Sequence, residues 1–205
     1  NDENINNRIS ELAKKVFDLA RDSIIVKYRF FDKTLAALKF EEDSSIGTYI
    51  SDMGRLVYNP ARLLNDYKED PDFAVRLLLH VIFHNIFLHY SRKDIANREY
   101  WDLACDIAVE NTILAMDSGY ERPGDTQVQI ILSKLNKWVP KLTAEYLYRE
   151  FMVGGISSDS VGEYKRLFSP DVHYTRPNNK KEEIIISQED WERIARRVSA
   201  ELKSF

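Results

Sequence analysis

Cysteine is almost missing from this chain: Cys105 is the only one among 205 residues. An internal disulfide is thereby excluded, and the usage fits a reducing, cytoplasmic compartment. Cys105 itself sits in an apolar helical run and reads as a small buried hydrophobe rather than a reactive thiol. No charge of one sign dominates either. The 29 basic and 33 acidic residues leave a formal net charge of −4, and Lys180-Lys181 is cancelled by Glu182-Glu183. Without a basic stripe, neither nucleic acid nor an anionic membrane is an expected partner. The stretch from Phe73 to Tyr90 comes nearest to a membrane span, but Arg76, Asn85 and three histidines interrupt it, so it reads as a buried core helix. The polar opening, Asn1 to Arg8, reads as the start of a helix and not as a signal peptide. There is no internal repeat and no low-complexity tract.

What remains is 44% hydrophobic, enough for one good core, and the expectation is a single α+β domain over 1–205. It divides into an N-terminal helix (1–28), a core (30–152), a loop (153–183) and a C-terminal helix (187–205). In the first helix Ile5, Ile9, Leu12, Val16, Leu19 and Ala20 recur at helical spacing. Thr34 to Phe40 is expected to be extended. Ile46 to Ile50 and Arg55 to Tyr58 read as two strands around the turn Ser51-Asp-Met-Gly54, with Asn59-Pro60 ending the second. A short helix, Ala61 to Tyr67, follows. The next helix, Asp72 to His89, is apolar around its whole circumference, which marks a central element. A further helix covers Arg98 to Met116, Ile131 to Trp138 is ambiguous, and Thr143 is the expected N-cap of a helix reaching Met152. Gly154 to Lys181 is polar and Gly/Ser/Pro-rich, the composition of a long surface loop. Ser187-Gln-Glu-Asp190 resembles a capping box that launches a helix with Trp191, Ile194, Val198 and Leu202 on one face. Trp101, Trp138 and Trp191 are expected core anchors.

The residues that could carry chemistry are histidines. On a helix of 3.6 residues per turn, His80 and His84 lie within about 40° of each other, so two imidazoles can share one metal ion. His89 lies about 140° from His84 on a continuous helix, and Leu88 offers no evident reason for a break. The third ligand is therefore sought on the following helix, where Asp102, Asp106 and Glu110 form a stripe at i, i+4, i+8. Like charges so placed repel unless a cation or an imidazole N–H offsets them. Asp106 is the natural ligand, with Asp102 or Glu110 behind an imidazole. A solvated acidic face with metal-free core histidines is the alternative. His173, after Pro170-Asp171, reads from composition as a surface residue.

Three stretches occur in a telling order: Gly47-Thr-Tyr-Ile-Ser-Asp52-Met-Gly54 with Tyr58-Asn59-Pro60, then His80-Val-Ile-Phe-His84 with Leu88-His89, then Trp101-Asp102-Leu-Ala-Cys-Asp106. Together they resemble the bacterial putative metallopeptidase domain that precedes a von Willebrand factor A-like domain. Thr143-Ala-Glu145-x-Leu-Tyr148 and Asp171-Val-His173 are similar to its later motifs. The resemblance implies a zincin-like fold, with a small sheet and edge hairpin on an active-site helix. It implies zinc as cofactor, with His80, His84 and Asp106 as ligands. It further implies a longer chain with a C-terminal von Willebrand A-like domain, an extended peptide along the hairpin edge, and a MoxR-type AAA ATPase as partner. The departures are specific: Val81 stands where the family motif has the general-base Glu, Leu88 where it has Gly, and Glu110 where Asn is usual. No catalytic residue is therefore assigned, with Glu110 as a substitute base. Three readings stay open: a degenerate zinc peptidase acting as a binding module, an active peptidase with a displaced base, and a metal-free structural domain.

Overall fold

The computed structural model describes residues 2–92, 94–116, 118–173 and 187–202. They gather into two compact units: Asn1–Ser91 with Asp171–Phe205 form the first, and Arg92–Pro170 the second. The architecture is mixed α and β. Among the described residues, no helix is long and apolar enough to cross a membrane. The pair Lys180-Lys181 and the expected loop beyond residue 173 lie outside the described residues.

The first unit opens with α1 (Asp2–Lys27), acidic in its first turn and basic in its last, as the helix dipole favours. Its buried side is Ala13, Val16, Phe17, Ala20 and Ile24. The expected stripe is only half right, because Ile5, Leu12 and Leu19 are exposed. Phe17 sets the rotation: its ring meets Phe40 at 4.7 Å and Tyr58 at 4.8 Å, which draws the neighbouring face inward. Thr34 to Ala37, expected to be extended, belong instead to α2 (Asp32–Ala37), which buries Thr34 and Leu35 before the chain straightens into β1 (Lys39–Glu42).

β2 (Ile50–Asp52) and β3 (Arg55–Tyr58) form the expected hairpin, with β2 starting later than its β-branched sequence suggests. Residues before it are held as a loop, because the Asn59 side chain donates to the carbonyls of Ser44 and Ile46, both at 3.0 Å. The same side chain accepts from Ala61 N–H and caps α3 (Pro60–Glu69), with proline at the first helical turn where its missing N–H costs nothing. β1 runs parallel to β3, and β2 runs parallel to β4 (Val172–His173), giving the order β1-β3-β2-β4. The hairpin, expected at the sheet's edge, is thus central, flanked by β1 and, for two residues, by β4.

α4 (Phe73–Ile86) is buried at every residue from Ala74 to Ile86, which makes it the central helix that its all-round apolarity predicts. It packs against α1, α3 and the last helix. Asn85 ties it to the hairpin: its side chain accepts from Gly54 N–H at 2.8 Å and donates to Val81 carbonyl at 2.9 Å. Gly54 has φ +79°, and a Cβ there would meet the Trp191 indole at 3.4 Å, so glycine satisfies both the turn and the contact. Trp191 belongs to α9 (Gln188–Leu202), launched by Ser187, whose hydroxyl accepts from Asp190 N–H. Trp191 and Val198 are buried and Ile194 is half-buried.

The expectation that α4 continues to His89 is overturned. The helix closes at Phe87, and Leu88 takes φ +58°, its N–H bonding to the Asn85 carbonyl at 3.2 Å. This is a left-handed helix closure of the kind glycine usually makes. A single 3₁₀ turn, His89–Ser91, follows.

The second unit is helical: α5 (Arg98–Ala115), α6 (Asp125–Leu135), α7 (Ala144–Met152) and α8 (Ser158–Phe168). Leu103, Ile107, Leu132, Leu147, Phe151 and Phe168 sit in its core. The ambiguous stretch at Ile131 is helical, with Val128, Ile131, Leu132 and Leu135 buried. α8 corrects the expected loop. Ser157 caps it by accepting from Ser160 N–H, and Val161, Tyr164 and Phe168 supply an apolar face that the polar composition hid. Thr143 precedes α7 without a side-chain cap bond, and Trp138 is 53% exposed and anchors nothing.

The closure at Leu88 generates a test. In a helix interior alanine is more stable than glycine by about 1 kcal/mol. At a left-handed position the order reverses, because a Cβ costs roughly 1–2 kcal/mol there. Leu88→Gly is expected to be more stable than Leu88→Ala by about 1 kcal/mol in urea denaturation. The helical order would show that α4 continues through residue 88.

Candidate metal centre

All four histidines of the chain fall in the first unit. His80 and His84 project from adjacent turns of one face of α4, and both are fully buried. Their Nε2 atoms are 3.0 Å apart. The third imidazole arrives from far along the chain. β4 pairs with β2 through Ile50 opposite Val172 and Ser51 opposite His173, and Val172 N–H donates to the Tyr49 carbonyl at 2.8 Å. Residues two apart on an extended chain share a face, so Asp171 and His173 turn inward together while Val172 stays 53% exposed.

The His173 side chain is 3% exposed. It had been expected at the surface; its ring lies instead 4.3 Å from that of His84. One nitrogen from each of His80, His84 and His173 lies within 4.8 Å of the others. An Asp171 Oδ1 atom sits 3.3 Å from His80 Nε2 and 3.6 Å from His173 Nε2.

These separations test whether the donors fit a metal. Zinc bound tetrahedrally at about 2.0–2.1 Å from nitrogen separates its ligand atoms by about 3.3 Å. The 3.0 Å between Nε2 of His80 and Nε2 of His84 lies near that edge, and a nitrogen of His173 lies within 4.8 Å of both. Buried imidazoles are also the right donor chemistry for zinc or a similar transition metal. The residues fit.

Two more side chains complete the surroundings. The left-handed turn at Leu88 swings His89 back, so that its Nδ1 lies 3.1 Å from His84 Nδ1. The Tyr90 ring stands 5.5 Å from His84 and 5.6 Å from His173, with its hydroxyl 2.7 Å from Ser51 Oγ. From the sequence alone, His89 is turned away from the pair by periodicity and His173 lies at the surface by composition, while Tyr90 and Asp171 have no role of their own. The spacing Asp171-x-His173 was the available signal.

Asp106 lies in the second unit, on α5. It is buried, and Ser169 Oγ donates to its Oδ2. The expected acidic stripe is real, but each carboxylate has its own partner within that unit. Asp102 meets Arg98 at 3.0 Å, and the fully buried Glu110 meets Arg122 at 3.1 Å. Arg122 also donates to the Leu167 carbonyl, so Glu110 anchors an arginine that ties two segments of the unit. That arrangement pairs the buried carboxylate with a cation.

Residues 14–198 match the model of a family described as a putative metallopeptidase domain. The chain belongs to this family. No curated protein and no solved structure matches it. A cluster of buried histidines that could ligate a metal ion accords with the family's description.

Cys105 stands on α5 of this metallopeptidase-family chain and adds no ligand of its own. It packs with Trp101, Ala108 and Ala144 and is buried. Burial first, then the negative fields of Asp106 and Asp102, push its thiol well above the ordinary range. The native protein should therefore react with a disulfide reagent at pH 8 at least ~100-fold more slowly than the urea-unfolded chain. One fast equivalent from native protein would show that the thiol is accessible.

Proposed function

We propose that this chain is a zinc-binding member of the metallopeptidase family that has lost efficient peptidase activity and works by binding. The observation that carries this reading is the convergence of His80, His84 and His173, with Val81 between the two helical ligands. We assign His80, His84 and His173 as ligands. Asp106 is proposed as the fourth donor, on the argument of the acidic stripe on the helix after the histidines.

A bound zinc ion would supply Lewis-acid polarisation of a carbonyl. The residues of the chain must do the rest, and here Val81 decides. The family motif has a glutamate at that turn to take a proton from water and hand it to the leaving amine. Val81 is fully buried and has no atom that can hold a proton. General-base catalysis of this kind contributes about 10²–10⁴-fold, and that factor is what the substitution removes.

Elemental analysis after dialysis against a mild chelator tests the reading. About one equivalent of zinc per chain is expected, lost in His84→Ala and in His173→Ala. A metal-free protein whose melting temperature ignores added zinc would favour the structural reading instead.

Val81→Glu restores a carboxylate between the ligands and should raise chelator-sensitive cleavage of a denatured protein substrate by part of the approximately 10²–10⁴-fold base contribution. The wild type should show no zinc-dependent cleavage above background. One observation favours a second reading: Asp171 puts a carboxylate oxygen within 3.3 Å of His80 Nε2. Strong cleavage by the native protein, abolished by Asp171→Asn, would make that residue the base and overturn the proposed loss of activity.

A further inference from the structure

His84 is contacted at both ring nitrogens. Its Nε2 faces His80 Nε2 at 3.0 Å and its Nδ1 faces His89 Nδ1 at 3.1 Å. A nitrogen pair at that distance needs one proton between its members, and a neutral imidazole carries one proton in all. Counting only the protons shared among these rings, the row His80–His84–His89 has two arrangements when no metal is bound. His84 can donate to His80 and accept from His89, or donate to His89 and accept from His80. Coordination through Nε2 of both His80 and His84 removes the proton between those two atoms. One arrangement is left, in which His84 Nδ1–H donates to a neutral His89 that accepts at Nδ1.

We infer that His89 is not a metal ligand but the positioning residue for His84, holding its ring in the Nδ1–H tautomer so that Nε2 faces the metal. The inference rests on the zinc-binding reading above. Three observations carry it. His89 is 6% exposed, so its polar nitrogens must be satisfied inside the protein. The two rings stand at 73°, 5.0 Å between centroids, an edge-on approach that aims one nitrogen at the other. The left-handed backbone at Leu88, unfavourable for a side-chain-bearing residue, is what brings the ring round. Strain kept at one residue next to a ligand accords with a positioning contact. An imidazole whose other N–H is held by an acceptor is both oriented and more basic, and removing such an acceptor typically costs about 10–100-fold in metal affinity.

The test uses the whole chain and Zn²⁺. His89→Phe keeps the ring and removes the acceptor, whereas His89→Asn keeps an acceptor oxygen near the place of Nδ1. Competition against a chromophoric chelator should show the Phe variant binding one Zn²⁺ per chain about 10–100-fold more weakly, and the Asn variant recovering most of that loss. Long-range ¹H–¹⁵N correlation on the zinc-loaded wild type should show His84 protonated at Nδ1 and a His89 without a metal-shifted nitrogen. Equal affinity in the wild type and both variants would overturn the inference while leaving zinc binding intact. A metal-shifted His89 nitrogen would overturn it by making His89 a ligand. If the wild type takes up no Zn²⁺, the zinc reading itself fails. If the Phe variant does not fold, the tautomer spectrum of the wild type decides alone.

Discussion

The two-residue pairing of β4 with β2 is the constraint on which the centre in the first unit depends. α4 supplies two buried histidines, and the third imidazole comes only when the chain returns at Asp171. The bond from Val172 N–H to the Tyr49 carbonyl fixes the register, and the two-residue period of an extended chain then turns Asp171 and His173 inward. A slip of one residue would send both to the outside and bring Val172 against the imidazoles. A contact of one or two hydrogen bonds, each worth only about 0.5–1.5 kcal/mol net, thus selects which chemistry faces the histidine helix.

How much of this could be read from the residues varies with the range of the interaction. The buried helix, its histidine pair, the second hairpin strand and its end at Asn59-Pro60 follow from periodicity and local turn chemistry; the first hairpin strand lies four residues later than its β-branched residues suggest. The rotation of α1 was not legible, because Phe17 finds Phe40 and Tyr58 only in the folded chain. α8 was obscured by a Ser- and Gly-rich composition in which Val161, Tyr164 and Phe168 are sparse. His173 was misplaced because its partner strand lies more than 100 residues away. The stop at Leu88 was misread for a different reason: leucine is a helix former, and nothing local announces a left-handed residue there. Leu88 carries a side chain, and its backbone adopts a glycine-like conformation all the same.

The carboxylates of α5 show how a sequence pattern can be right in position and incomplete in meaning. Asp102, Asp106 and Glu110 do form one stripe, and a bound cation is one way to relieve it. Within the second unit the relief is already divided between Arg98, Ser169 and Arg122. Breaking a buried pair such as Glu110–Arg122 leaves an uncompensated charge, so these residues are constrained by stability whatever the site binds. Selection for a stable unit and selection for a ligand would leave the same letters at these positions.

The tryptophans are distributed in a way that gives the molecule its own optical labels. Trp191 is the one tryptophan of the first unit, whereas Trp101 and Trp138 belong to the second. Its indole rests on Gly54, whose amide is held by Asn85 on the helix that also carries His84. With Trp101 and Trp138 replaced by phenylalanine, the remaining emission would come from a single buried indole. Any loosening of the last helix, or of the turn it covers, would then appear as a red shift from that one fluorophore.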